Sequence, residues 1–404
     1  MIPFAEALDT VLSGMKTVCS EQVALPDALG RVLARDVLAR ITQPWADVSS
    51  MDGYALKAGD IAECPVTLEV VGESAAGGCY DGELTTGQAV RIFTGAPVPK
   101  GADCVVMQEN TLRGDLTVEI QKSAPEGNFI RRAGQDFKNG EGLLKAGRIL
   151  TARDLGLAAA ANVPWLMVRR KPRVAVIATG DEVVMPGDGL GANQILSSNS
   201  VMLVAFLKAA GAEPMDLGIA RDDHISLKRI MDSAPQADLV VTIGGASVGD
   251  YDLVNQVLNE QGVDLGFYKV AMRPGKPLIF GTLNGTPVLG LPGNPVSAGV
   301  TGALFIRPAI DAMLGLPRDE GPLMTAILGV GLKENDERQD YLRATLTTDE
   351  DGNRVAMPFP KQDSALLARF AEADCLVIRP PHAPAAMFGD KVQIILLRQG
   401  RMSL

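Results

Sequence analysis

A multidomain α/β-plus-β architecture is predicted by three features of this 404-residue chain. Over 169–316, short apolar strands alternate with helical segments, the pattern of parallel βαβ units with right-handed crossovers. On either side, short β pieces punctuated by glycine, proline and aspartate read as separate all-β units. The length also exceeds one ordinary hydrophobic core, so several domains are expected.

Residues 1–45 join a helical signal (FAEALDTVLSGM) to a mixed apolar–polar stretch (VALPDALGRVLARDVLAR). Residues 46–138 carry the β pieces VTLEVVG, QAVRIFTG, CVVMQE and LTVEIQK, and residues 139–168 return to helical periodicity (TARDLGLAAAANV). That order describes an inserted β domain within a discontinuous N-terminal domain. The central doubly wound α/β domain, 169–316, reads as strand VAVIATG, helix SNSVMLVAFLKAAG, strand EPMDLGIA, helix ISLKRIMDSA, strand LVVTIGG and helix YDLVNQVLNEQG. Strands PLIFGTL and TPVLGLP then precede the helix SAGVTGALFIRPAIDAML. Residues 317–404 shift to β pieces (TAILGVGL, YLRATLTT, CLVIRP, KVQIILLRQ), a small C-terminal β-barrel-like domain.

Composition removes several function classes. The chain is 47% hydrophobic and 21% charged, which is globular. A net charge of −10 argues against nucleic acid bound through a basic face. No apolar run reaches the ~18–20 residues of a membrane span. The start MIPFAEALDTVL lacks the basic-then-apolar order of a signal peptide. No membrane partner and a cytoplasmic location are therefore expected. The five cysteines (Cys19, Cys64, Cys79, Cys104, Cys375) form no CxxC, and only His224 and His382 are present. Zinc or a Cys–His nucleophile is a poor expectation. Chemistry falls to carboxylates, lysines, arginines, backbone N–H groups and Mg²⁺.

The most informative stretch is LVVTIGGASVGDYD, residues 239–252. Its apolar run suits a strand buried on both faces. Gly244, Gly245 and Gly249 just beyond let backbone N–H groups approach an anion closely. Ser247 adds an anion donor and Asp252 a carboxylate near the next helix start. Open α/β sheets bind ligands at this edge. Other motifs fall at the same edge. TGDE brings Glu182, and ARDDH brings Asp222 and Asp223 beside His224, a solvated loop residue. FYKVAMRPGKP supplies Lys269, Arg273 and Lys276, and the even separation of the first two puts them on one face of an extended strand. LPGNPVSA sets Pro292, Gly293 and Pro295 at a helix start, where N–H groups bind oxyanions. The inserted domain adds Asp52 in SSMDGYA, Thr94 in RIFTGAPVP, and Arg131 and Asp136 in IRRAGQDF. Singly, each motif also suits a turn, a helix cap or solvated charge, and those of the inserted domain suit a β turn better than a site. Together they describe a Mg²⁺-assisted enzyme handling a phosphorylated ligand and an oxyanion.

The string MDGYA, TGAPVP, RRxGxD, TGDE, GGxSVGxxD, PGKP and LPGNPVSA, in this order, closely resembles the molybdopterin molybdenumtransferase family, which includes the gephyrin E domain. The resemblance spans essentially the whole chain. It implies a homodimer whose site lies between the α/β molybdopterin-binding domain of one protomer and the inserted domain of the other. It implies that adenylylated molybdopterin and molybdate react with Mg²⁺-dependent release of AMP, leaving molybdenum on the pterin dithiolene. The molybdopterin adenylyltransferase and cofactor-accepting molybdoenzymes are implied as further partners. Asp52, Thr94, Asp136, Glu182, Asp222 and Asp252 match functionally important family positions. Among them Glu182 and Asp222 are implied for Mg²⁺ and phosphate, and Asp52 and Asp136 reach in from the partner subunit. Ser247, Lys269, Arg273, Lys276, Arg343 and Ser364 match the molybdate pocket. Two departures stand out: Arg273 replaces a common lysine, and SSNS (197–200) replaces an acidic turn while keeping Asn199. A non-catalytic scaffold is disfavoured by retention of Asp52, Glu182 and Asp252. The adenylyltransferase, a related α/β domain alone, is disfavoured by the surrounding domains. Tungstate instead of molybdate stays open.

Overall fold

The computed structural model describes residues 1–75, 77–221, 236–244, 264–318 and 323–397. Its central sheet runs in the order Glu213–Ala220, Arg173–Thr179, Leu239–Ile243, Thr286–Leu291, Ile279–Leu283, Asp264–Phe267. The first four strands are parallel, and all five residues of Leu239–Ile243 are buried. Ile279–Leu283 runs antiparallel to both its neighbours, Thr286–Leu291 and Asp264–Phe267, so the sheet is mixed. The cause is local: only Asn284 and Gly285 separate Ile279–Leu283 from Thr286–Leu291, too few for a crossover. Both have positive φ (50° and 84°), as a two-residue hairpin turn requires. The helices expected at 225–234 and 251–262 lie outside the described residues.

Alternate residues of each strand face opposite sides. Val174, Val176, Val241 and Leu289 enter one core with Leu203 and Leu207 of the helix Ser198–Ala209. Ala175, Ile177, Val240 and Val288 form a smaller cluster with Met215 and Leu217. The N-terminal helix Phe4–Ser13 adds Ala7 and Val11 to the larger core. The segment expected as a helix over 297–314 is helical from Pro295–Thr301 to Arg307–Met313, with a π turn at Gly302–Ile306 between them. Pro308 has no N–H for the carbonyl of Leu304, and the widened turn absorbs that loss.

FYKVAMRPGKP is not the single extended strand anticipated from its spacing. Asp264–Phe267 stays in the α/β sheet, while Met272–Arg273 leaves it and pairs in parallel with Gln339 and Asp340. Pro274 and Pro277 offer no ladder donors, and Gly275 has φ 110°, so the strand cannot run on.

The other units follow the sequence pattern. Ser20–Ala24 pairs antiparallel with Trp165–Arg169 beside a core of Leu33, Phe137, Leu144, Leu150 and Leu166. The inserted sheet has the order Cys104–Met107, Gly53–Leu56, Gln88–Ile92, Val66–Ser74, Thr117–Ile120, Thr111–Arg113. In the C-terminal unit, Gln339–Thr348 pairs with both Arg354–Pro358 and Cys375–Arg379. With Leu323–Leu328 and Lys391–Leu396 this closes a five-stranded barrel. Arg354–Pro358 is not anticipated from the sequence because it is short and ends in proline.

Gly53 opens a strand paired on both sides, and a Cβ there would lie 1.9 Å from the Val106 carbonyl oxygen. Gly53→Ala is expected to lower stability to urea by about 1–3 kcal/mol, as overpacking does.

Candidate active site

The carboxyl ends of the parallel strands are tied edge to edge. Gly180 N–H donates to the Ala220 carbonyl (3.3 Å), and Gly244 N–H donates to that of Leu291 (3.1 Å). The Thr179 hydroxyl donates to the Ile243 carbonyl at 3.3 Å. Gly244 has φ 93°, and a Cβ on it would sit 2.8 Å from the Thr179 carbonyl oxygen. A Cβ on Gly293 would lie 3.6 Å from the Gly244 Cα. The two glycine turns therefore pass backbone to backbone, with Pro292 buried beneath. The Asn199 side-chain amide donates to the Gly293 carbonyl at 2.6 Å, fastening the start of the helix Ser198–Ala209 to the same turn. Glu182 is exposed two residues past Gly180, and its carbonyl accepts from Ile195 N–H at 2.8 Å.

The barrel meets the helix that follows the Gly293 turn. Pro295 begins its helix, and the next N–H, on Val296, donates to the Ser364 carbonyl at 3.0 Å. One donor expected for an oxyanion is thus already occupied, but the contact seats Ser364 over the helix start. Arg343 is 3% exposed. Its guanidinium donates to the Asp363 carbonyl (3.1 Å), and its N–H donates to the Gln362 side chain (2.9 Å). Burial holds the Arg343 pKa below its ordinary value, with Asp363 and Asp340 opposing that shift. Lys276 is exposed. The neighbouring Gly275 lies so close to Thr301 that a Cβ would meet the Thr301 methyl at 2.5 Å. The Lys269 ammonium sits 4.6 Å from the centroid of the Tyr268 ring. Arg273 faces the barrel, its Nε donating to Asp340 at 2.8 Å.

In the inserted domain, one Asp52 oxygen accepts both the N–H and the hydroxyl of Thr94, each at 2.7 Å. The Thr94 N–H, then its hydroxyl, then the charge of Arg91 hold the Asp52 carboxyl below the usual carboxylate range. Arg91 lies 5.1 Å from the Tyr54 ring centroid and 5.0 Å from that of Phe93. It also donates to the Gly53 carbonyl at 3.2 Å. Ser49 N–H donates to the Ala96 carbonyl, and Ser50 N–H to that of Phe129 (both 2.9 Å). Ile130–Arg131 pairs with Val48–Ser49. The Asp52, Thr94 and Arg131–Asp136 segments therefore gather at one end of this domain, with Arg131 and Asp136 exposed. Among the described residues, no strand pairing or bridge joins 46–138 to the α/β sheet.

Asp222, Gly245, Ser247, Gly249 and Asp252, with Asp223 and His224, lie outside the described residues. Arg91 and Asp340 were not singled out from sequence. Arg91 opens the quoted RIFTG motif, while Asp340 gives no sequence signal beyond its charge. All five cysteines are free thiols. Burial pushes Cys104 and Cys375 up to about 12, so neither is a thiolate nucleophile at neutral pH.

Comparison with known proteins gives a consistent picture. The MoeA N-terminal region (domain I and II) matches residues 2–162, a probable molybdopterin binding domain 175–312, and the MoeA C-terminal region (domain IV) 325–397. A molybdopterin molybdenumtransferase of Haemophilus influenzae is 35% identical over 378 residues, 93% of each chain. One from Nostoc sp. is 38% identical over 387 residues, 94% of this chain and 89% of that one. The crystal structure of a molybdopterin biosynthesis MoeA protein from Pyrococcus horikoshii has a TM-score of 0.86 at 33% identity, covering 99% of this chain and 100% of that one.

Because the folded pKa of Asp52 is depressed, its hydrogen bonds favour the folded state above the carboxylate range. That contribution fades as pH falls through the folded pKa. Thr94→Val removes the hydroxyl donor and is expected to raise the Asp52 pKa towards the ordinary value, measured by ¹³C NMR titration of the carboxyl.

Proposed function

Since the chain belongs to the MoeA family of molybdopterin molybdenumtransferases, we propose that it transfers molybdenum from molybdate to adenylylated molybdopterin with release of AMP. The observation that carries this reading is the glycine-to-glycine contact of Gly244 and Gly293, beside which the barrel seats Arg343 and Ser364. Backbone left bare at the carboxyl edge of a parallel sheet suits a phosphorylated ligand. Cations at the neighbouring turn suit an oxyanion.

In this reading the substrate pyrophosphate lies at the Thr179–Glu182 turn and at Gly244, with Asn199 holding Gly293 in place. Lys276, Lys269, Ser247, Arg343 and Ser364 surround molybdate, and Arg343 brings a charge whose burial strengthens its attraction for an anion. The sulfur ligands to molybdenum belong to the substrate dithiolene. The hard oxygen of Glu182, exposed at this edge, fits a Mg²⁺ that takes one or two carboxylates and otherwise water and phosphate oxygens, with Asp222 as second ligand. When bound, Mg²⁺ would neutralise charge on the phosphates. Asp52 and Asp136 act from the inserted domain of a partner subunit in a homodimer. Thr94 keeps Asp52 ionised and fixed in orientation toward the substrate pyrophosphate.

The test is AMP release from adenylylated molybdopterin, titrated separately with molybdate and tungstate. Oxyanion-dependent AMP release with the metal retained on the pterin is expected. Tight substrate binding without hydrolysis under either oxyanion would point to a scaffold. Asp52→Ala and Glu182→Ala are expected to cut AMP release by a factor of about 10² or more, with circular dichroism and melting temperature close to those of the parent. Parental turnover by a folded Glu182→Ala protein would remove that residue from the site.

A further inference from the structure

Arg273 is surrounded by acceptors that the barrel itself organises. Its Nε donates to one Asp340 oxygen at 2.8 Å while Nη2 engages the other, a two-point fork on one carboxylate. The Asp340 side chain is 6% exposed. Nη1 reaches Asp336 at 3.3 Å, and Nη2 reaches the Asn335 side-chain oxygen at 3.3 Å. These acceptors are fixed in advance. Asn335 donates to the carbonyls of Arg338, Arg379 and Pro380 (2.7, 3.1 and 2.9 Å). Asp336 is held by Arg338 at 2.6 Å. Backbone pairing of Arg273 with Asp340 brings the two side chains together.

An oxyanion approaching this guanidinium would meet two carboxylates already neutralising it. A lysine at 273, a single point charge, could not span both oxygens of Asp340 as the planar fork does. Three residues beyond Asp340 in the same strand, Arg343 holds the loop that seats Ser364 on the helix start. The fork therefore fixes the Pro274–Lys276 turn relative to Arg343.

We propose that Arg273 and Asp340 are a positioning pair that locks the Pro274–Lys276 turn to the C-terminal barrel, and that molybdate meets Lys276 and not Arg273. The proposal rests on the transferase reading above and changes which cations meet the oxyanion.

The test measures the initial rate of AMP release against molybdate concentration for the full chain carrying Arg273→Gln, Asp340→Asn, both, or Arg273→Lys. A lock gives two single variants impaired to a similar degree, roughly tenfold in kcat/KM, with the double variant no worse than either. Arg273→Lys, which keeps the charge but loses the fork, then fails to restore activity. An oxyanion ligand gives a different result and overturns the proposal: Arg273→Gln alone raises the molybdate KM, Asp340→Asn leaves or lowers it, and Arg273→Lys restores it. If the parent itself releases no AMP, the transferase reading falls and the lock is judged by urea unfolding of the same variants. Non-additive effects of Arg273→Gln and Asp340→Asn then support it, and additive effects overturn it.

Discussion

The approach of Gly244 to Thr179 on one side and to Gly293 on the other is the constraint from which the sheet edge is built. Any Cβ at 244 would press on the Thr179 carbonyl at 2.8 Å, in a backbone region that L side chains rarely adopt. With no side chain between them, the strands Arg173–Thr179, Leu239–Ile243 and Thr286–Leu291 end level, and their turns share one surface. Asn199 then ties a helix to that surface with a single short hydrogen bond. The buried apolar strand beneath supplies the stability, and the glycine contact decides what the edge presents.

The strand Gln339–Thr348 plays the matching part in the barrel. It pairs with Met272–Arg273, Arg354–Pro358 and Cys375–Arg379, so it belongs to the barrel while reaching the α/β domain. Asp340 and Arg343 are three positions apart on it, yet their surroundings differ. Asp340 meets a guanidinium half in water, whereas Arg343 is buried and opposed by desolvation. Keeping a buried arginine charged costs free energy that the Asp363 carbonyl and the charges of Asp363 and Asp340 only partly offset.

Much of this was legible in the sequence because periodicity speaks directly about burial. LVVTI, VAVIAT and VLGL announce strands hidden on both faces, and SNSVMLVAFLKAAG announces a helix. The glycine turns were legible too, because glycine directly after a buried strand marks a backbone that must turn sharply or pass close to another. The antiparallel Ile279–Leu283 and Thr286–Leu291 hairpin was less so: PLIFGTLNGTPVLG contains an Asn-Gly turn, but the neighbouring strand–helix alternation favoured a parallel reading. What Arg273 touches was not legible at all. Its even spacing from Lys269 suggested a shared face, whereas Pro274 and Pro277 end the strand and Met272–Arg273 meets its partners Gln339 and Asp340 only in the folded chain. Likewise Asp340 is invisible in isolation, since its role depends on a strand 67 positions away.

The antiparallel pairing of Ser20–Ala24 with Trp165–Arg169 bears on how the chain finds its fold. Val18 and Arg169, 151 positions apart, are hydrogen-bonded at 3.2 Å, a contact of the kind that slows folding through loop-closure entropy. Between them, however, the inserted domain has a core of its own around Tyr54, Leu56, Ile61, Leu68 and Val106. If that core condenses first, it draws its own ends together through the bridge of Gln43 with Phe137. The remaining flexible span is then far shorter than the sequence separation suggests, and the long-range clasp becomes nearly local when it forms.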